Sequence, residues 1–94
     1  MKVLTDEELT AGLAKQHVWR LEAGSLISDW EFVGFPAAIQ FVAAVAEVAE
    51  HFNHHPDIDI RYNRVHLGLT THDAGGITEL DLAVARAIAA LRGS

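Results

Sequence analysis

Ile58-Asp59-Ile60-Arg61-Tyr62-Asn63-Arg64-Val65-His66-Leu67-Gly68-Leu69 is the stretch whose reading decides the fold. Ile58, Ile60 and Tyr62 alternate with Asp59 and Arg61, and Val65, Leu67 and Leu69 alternate with His66, Gly68 and Thr70. A period of two marks strands with one buried face, and Asn63-Arg64 can turn the chain between them, so the segment reads as a β-hairpin. Upstream the pattern is different. Phe35 to Phe52 is rich in Ala and Val, with polar residues only at Gln40, Glu47, Glu50 and His51, which predicts a helix buried over most of its circumference. At about 100° per residue, Gln40, Glu47 and His51 form one narrow stripe, while Glu50 falls about 80° from its centre, at the edge of an apolar face. A second helix or subunit can cover that face, a hint of oligomerisation. Pro56 ends the helix by pushing His55 out of the α region, so His54 and His55 stand at a helix exit.

Working outward, Thr5-Asp6-Glu7-Glu8 reads as a capping box with Leu4 and Leu9 as a hydrophobic staple, opening a helix that extends to about Gln16. From Trp19 the period becomes two, Gly24-Ser25 supplies a turn, and Leu26 to Phe32 completes a first hairpin. Beyond His72, Asp73-Ala74-Gly75-Gly76 reads as a flexible loop, and Thr78-Glu79-Leu80-Asp81 caps a last helix running to about Arg92. The expected fold is α+β: a single domain over residues 1–94, in αββαββα order, with a four-stranded antiparallel sheet and three helices on one face.

Composition narrows the function classes. Ninety-four residues support one core. The chain has no Cys, hence no disulfide framework and no thiolate zinc site, and its stability must come from packing and association. A net charge of −6 without a dense Lys/Arg stripe argues against direct nucleic-acid binding. The most apolar stretch, Phe35 to Ala46, falls short of the roughly 20 residues that a bilayer requires, and the N-terminus turns acidic at once, unlike a signal peptide. A soluble cytoplasmic protein is expected.

Five of the six histidines lie from His51 to His72. Imidazole titrates near neutrality, so two in one cleft can exchange protons in opposite directions, which suits an elimination of water. The run Glu50-His51-Phe52-Asn53-His54-His55-Pro56, followed by Tyr62, His72 and Asp81, resembles the signature of the pterin-4a-carbinolamine dehydratases in every element and spacing. The resemblance extends from about Thr5 to Leu91. It implies a pterin site in which His54, His55 and His72 are catalytic, with Glu50 and Asp81 as supporting carboxylates. Substrate contacts would come from these histidines together with Asn53, Thr70, Thr71 and Asp73. The implied reaction converts 4a-hydroxy-tetrahydropterin to quinonoid dihydropterin and water without metal or organic cofactor. The implied partners are the pterin, an aromatic amino-acid hydroxylase that supplies it, and further copies of the chain in a homodimer or homotetramer.

Plainer readings stand beside these. Asp81 completes a helix start whether or not a substrate is present, Glu50 can be a solvated helix-end charge, and Tyr62 reads as a cross-strand packing residue. Trp19 reads as core, and His17, His51 and His66 as solvated or structural. A His/Glu metal site is one rival, weakened because adjacent residues in extended backbone point opposite ways. A second rival is a protein-binding, assembly or transcriptional-cofactor role, since some relatives act as a dimerisation cofactor of a homeodomain transcription factor or as assembly factors for a carbon-fixing enzyme.

Overall fold

The protein is described here by a computed structural model, covering residues 1–14 and 16–93. Along the chain run α1 (Asp6–Leu13), β1 (Arg20–Glu22), β2 (Ser25–Glu31), α2 (Phe35–Phe52), β3 (Asp57–Arg61), β4 (Arg64–Leu69), a short 3₁₀ helix (His72–Ala74) and α3 (Glu79–Gly93). The strands form one antiparallel sheet in the order β1-β2-β4-β3, so that the two hairpins meet through β2 and β4. Leu26, Ser28 and Trp30 of β2 and Val65, Leu67 and Leu69 of β4 are buried on one face. There the apolar ones join Leu9 of α1, Phe41 and Val45 of α2, and Leu82, Val84 and Ile88 of α3 in a single core, so the three helices cover one face, as the sequence predicts.

The opposite face of the sheet is open and charged. Asp29, His66 and Asp59 lie in one row across β2, β4 and β3. His66 Nδ1 is 2.6 Å from Asp29 Oδ1, and Arg20 reaches the other Asp29 oxygen at 2.9 Å. These contacts, the His66 hydrogen bond first, hold the Asp29 carboxyl below its ordinary range.

Several boundaries differ from expectation for local physical reasons. α1 has the predicted capping box, with Glu8 N–H donating to Thr5 Oγ1 at 3.1 Å and Thr5 N–H to Glu8 Oε1 at 2.9 Å, yet it ends at Leu13. Gln16 lies outside it: its amide donates to the Leu13 and Trp19 carbonyls and accepts from the Val18 and Trp19 N–H groups. The first hairpin turns at Ala23-Gly24, one residue early, with φ of 52° and 81° suited to a tight two-residue loop. The second turns at Tyr62-Asn63, because β3 pairs Arg61 with Arg64. Tyr62 is therefore 70% exposed at the turn with φ 54°, and is not a cross-strand packing residue.

α2 has the predicted bounds but a different stop and a different burial. Asn53, in the left-handed region at φ 50°, ends it three residues before Pro56, with Asn53 N–H donating to the Glu50 carbonyl and His54 N–H to the Ala49 carbonyl. Ala38, Phe41, Val45 and Ala49 are buried, but Phe35, Ile39, Ala43 and Ala46 are exposed, so about half of the circumference faces solvent in this single chain. The loop read as flexible is instead ordered by the Thr71–Gly76 bridge and the 3₁₀ turn.

Candidate active site

The site forms where the end of α2, the end of β4 and the start of α3 converge. The left-handed Asn53 turns the chain so that the two adjacent histidines separate. The His54 side chain goes inward and is 13% exposed, while that of His55 is 56% exposed. Each imidazole finds its own carboxylate: His54 Nε2 lies 2.5 Å from Asp81 Oδ1, and His55 Nε2 lies 2.5 Å from Glu50 Oε2. The sequence placed Glu50 one helical turn behind His54; its carboxylate reaches His55 instead.

Asp81 is fully buried, a position that a carboxylate holds only when its oxygens are well supplied with donors. Its Oδ2 accepts the Thr71 hydroxyl at 2.6 Å and the Thr78 N–H at 2.8 Å, while Oδ1 faces His54. Thr78 Oγ1 lies 3.0 Å from Thr71 Oγ1 and accepts the Leu80 N–H at 3.3 Å. One carboxylate therefore both closes the first turn of α3 and bonds the His54 ring. With Nε2 directed at Asp81, Nδ1 is the nitrogen of His54 left for a ligand.

A cavity of about 280 Å³ is lined by His54, His55 and His72, by Thr70 and Thr71 from the end of β4, and by the flanking Asn53 and Asp73. The structure thus gathers all three signature histidines and the four predicted contact residues at one hollow. Glu50 and Asp81 stand behind it, and Tyr62 is away at the hairpin tip. His17, His51 and His66 do not line it. A second hollow shares part of this lining and adds Met1, Ala74 and Leu80, residues that sequence reasoning did not single out. Nor did it assign a site role to Thr78, although the Thr78-x-x-Asp81 pattern was visible as a helix cap. Among the described residues no cluster of three or more His, Cys, Asp or Glu side chains is arranged to hold a metal ion, and no helix is long and apolar enough to cross a membrane.

The sequence profile of the family described as "Pterin 4 alpha carbinolamine dehydratase" matches residues 2–91. The chain belongs to this family. A provisionally named pterin-4-alpha-carbinolamine dehydratase of Chloroflexus aurantiacus is 52% identical over 93 residues, covering 99% of this chain and 100% of the relative. One of Mycobacterium tuberculosis, also provisionally named, is 48% identical over 94 residues, covering both chains fully. The crystal structure of a transcriptional coactivator/pterin dehydratase from Brucella melitensis superimposes with a TM-score of 0.91 at 34% identity, covering 98% of this dehydratase-family chain and 100% of the other. A pterin dehydratase-like protein identified as a RuBisCO assembly factor in the α-carboxysome is similar at a TM-score of 0.68 and 27% identity, over 83% and 93% of the two chains.

Proposed function

We propose that this chain dehydrates a 4a-hydroxy-tetrahydropterin to quinonoid dihydropterin and water by proton transfer at histidine. The observation that carries this reading is the cavity faced by His54, His55 and His72, with two of the imidazoles held by separate carboxylates. Loss of water needs a proton on the departing 4a-hydroxyl and removal of the N5 proton; the N–H electron pair becomes the C4a–N5 double bond as the C–O bond breaks. We assign the proton transfers to His54 and His72. Asp81 positions the His54 ring, while His55, held by Glu50, binds and orients the pterin. Asn53, Thr70, Thr71 and Asp73 supply polar groups for the heteroatom edge of the ring. The step needs no metal or organic cofactor. A hydroxylase acting on aromatic amino acids is the source of substrate in this reading, and recycling of tetrahydropterin in the cytoplasm is its setting.

Self-association is part of the same proposal. The exposed Phe35 and Ile39 on α2, flanked by the small Ala43 and Ala46, form a face that a second copy can cover in a homodimer or homotetramer. The coactivator and RuBisCO-assembly descriptions of the two similar solved proteins favour a second reading, a protein-binding role on the same fold. A spectrophotometric assay with enzymatically generated 4a-hydroxy-tetrahydropterin tests the first reading. Wild type should exceed the spontaneous rate, with His54→Ala and His72→Ala each lowering kcat by roughly 10² or more. Unchanged rates in both variants would reject the assignment.

A further inference from the structure

A hollow of about 150 Å³ lies between the end of α1 and α3, and it shares no lining residue with the histidine cavity. Its walls are fixed. The Trp19 indole N–H donates to the Ala85 carbonyl at 3.0 Å. An added Cβ at Gly12 would stand only 2.6 Å from Leu82 Cδ1, so α1 rests directly on α3 beside the hollow. The polar groups of the wall are already engaged: the Gln16 amide bonds backbone groups through both its oxygen and its nitrogen, and the Trp19 N–H is taken by Ala85. What faces a ligand is apolar surface from Leu13, Trp19, Leu82, Ala85 and Ala89, with a single charge, that of Arg86. Arg86 is exposed and, among the described residues, makes no ion pair. The chain carries 13 Asp and Glu against 7 Lys and Arg, so a hollow walled by a cation and no carboxylate runs against the general charge.

We infer that this hollow binds a small carboxylate carrying one aromatic ring, with the ring between the apolar walls and the carboxylate on Arg86. The inference is independent of the pterin reading. Size sets the ring, since an apolar cavity of about 150 Å³ stays dry and takes up benzene. An aromatic ring also gains an edge or offset contact with Trp19 that an alkyl group lacks. Charge sets the head group. The guanidinium presents a planar fork that matches a carboxylate with two parallel N–H···O bonds, and one cation balances one negative charge better than the two of a phosphate monoester. Arg86 lies one turn from both Leu82 and Ala89 on α3, which brings the head group and the ring site within reach of a short arm.

The test titrates phenylacetate and its neutral analogue phenylacetamide into the isotope-labelled full chain, read by amide and indole NMR shifts. Phenylacetate should give saturable shifts at the Trp19 indole N–H, Leu82 and Ala89. Arg86→Gln should raise its dissociation constant about tenfold while leaving that of phenylacetamide within about twofold. Ala89→Phe fills the hollow and should remove binding of both ligands. Arg86→Gln changes only an exposed side chain and decides the matter should A89F fail to fold. No saturable shift in wild type, shifts centred on His54 and His72 instead, or an equal change for both ligands in R86Q overturns the inference. Shifts at the hollow that appear on raising protein concentration without ligand place a second copy there and overturn it as well.

Discussion

Asp81 is the residue on which the fold and the proposed chemistry meet. Its two oxygens receive His54, the Thr71 hydroxyl and the Thr78 N–H in a fully buried position, and an amide in its place has one acceptor oxygen for three donors. Asp81→Asn should lower kcat by roughly 10² or more in the dehydratase assay, with KM less affected, because a ring held in the wrong tautomer or orientation mishandles the proton. Thr71→Val leaves the buried carboxylate short of a donor and should cost about 1–3 kcal/mol in urea unfolding. Glu8 illustrates a different dependence. The Lys2 hydrogen bond first, then the Thr5 N–H, lower its carboxyl from the ordinary 4.5 to about 2. The fold favours the charged form, so this contribution is present above pH 4.5 and is lost as the pH falls toward 2. Glu8→Gln should flatten the stability curve in that acid window and leave neutral pH comparatively unchanged, as followed by thermal melts across pH.

At the scale of elements, α2 does two jobs, and only one was legible in its pattern. The Ala/Val-rich run predicts the helix at its observed bounds, because a continuous apolar period outweighs any local ambiguity. Where the chain leaves the helix depended on backbone geometry that composition does not encode: Asn53 adopts the left-handed cap and satisfies the end carbonyls before Pro56 can act. The same count of apolar residues predicted burial over most of the circumference, whereas one chain has sheet and α3 to cover only one side. Ile39→Lys on the exposed face should shift sedimentation toward the monomer while leaving the far-UV circular dichroism unchanged. A variant that sediments like wild type would place the interface elsewhere. The turns at Ala23-Gly24 and Tyr62-Asn63 each fell one residue from the reading, since register is set by pairing with the neighbouring strand and not by the turn sequence alone.

At the scale of the whole molecule, stability resides in the core between β4 and the helices. Leu67 is fully buried on the central strand β4, and Leu67→Ala should cost about 3 kcal/mol and lower Tm by more than about 10 °C in calorimetry. The element order and the single core could be read in the chain itself, because hydrophobic period and helix-capping chemistry act over a few neighbouring residues, whereas the choice of His54, His55 and His72 rested on the signature resemblance. Which carboxylate serves which imidazole could not be read there. Glu50 reaches His55, and Asp81, 27 positions beyond His54, arrives only when α3 packs beside the end of α2. The N-terminal wall at Met1 likewise exists only because Leu4 pairs with Ile77 across the fold. Short-range patterning determined the elements, and the placement of polar partners far apart in sequence was left to packing, since a buried charge takes whichever donors the assembled layers bring to it.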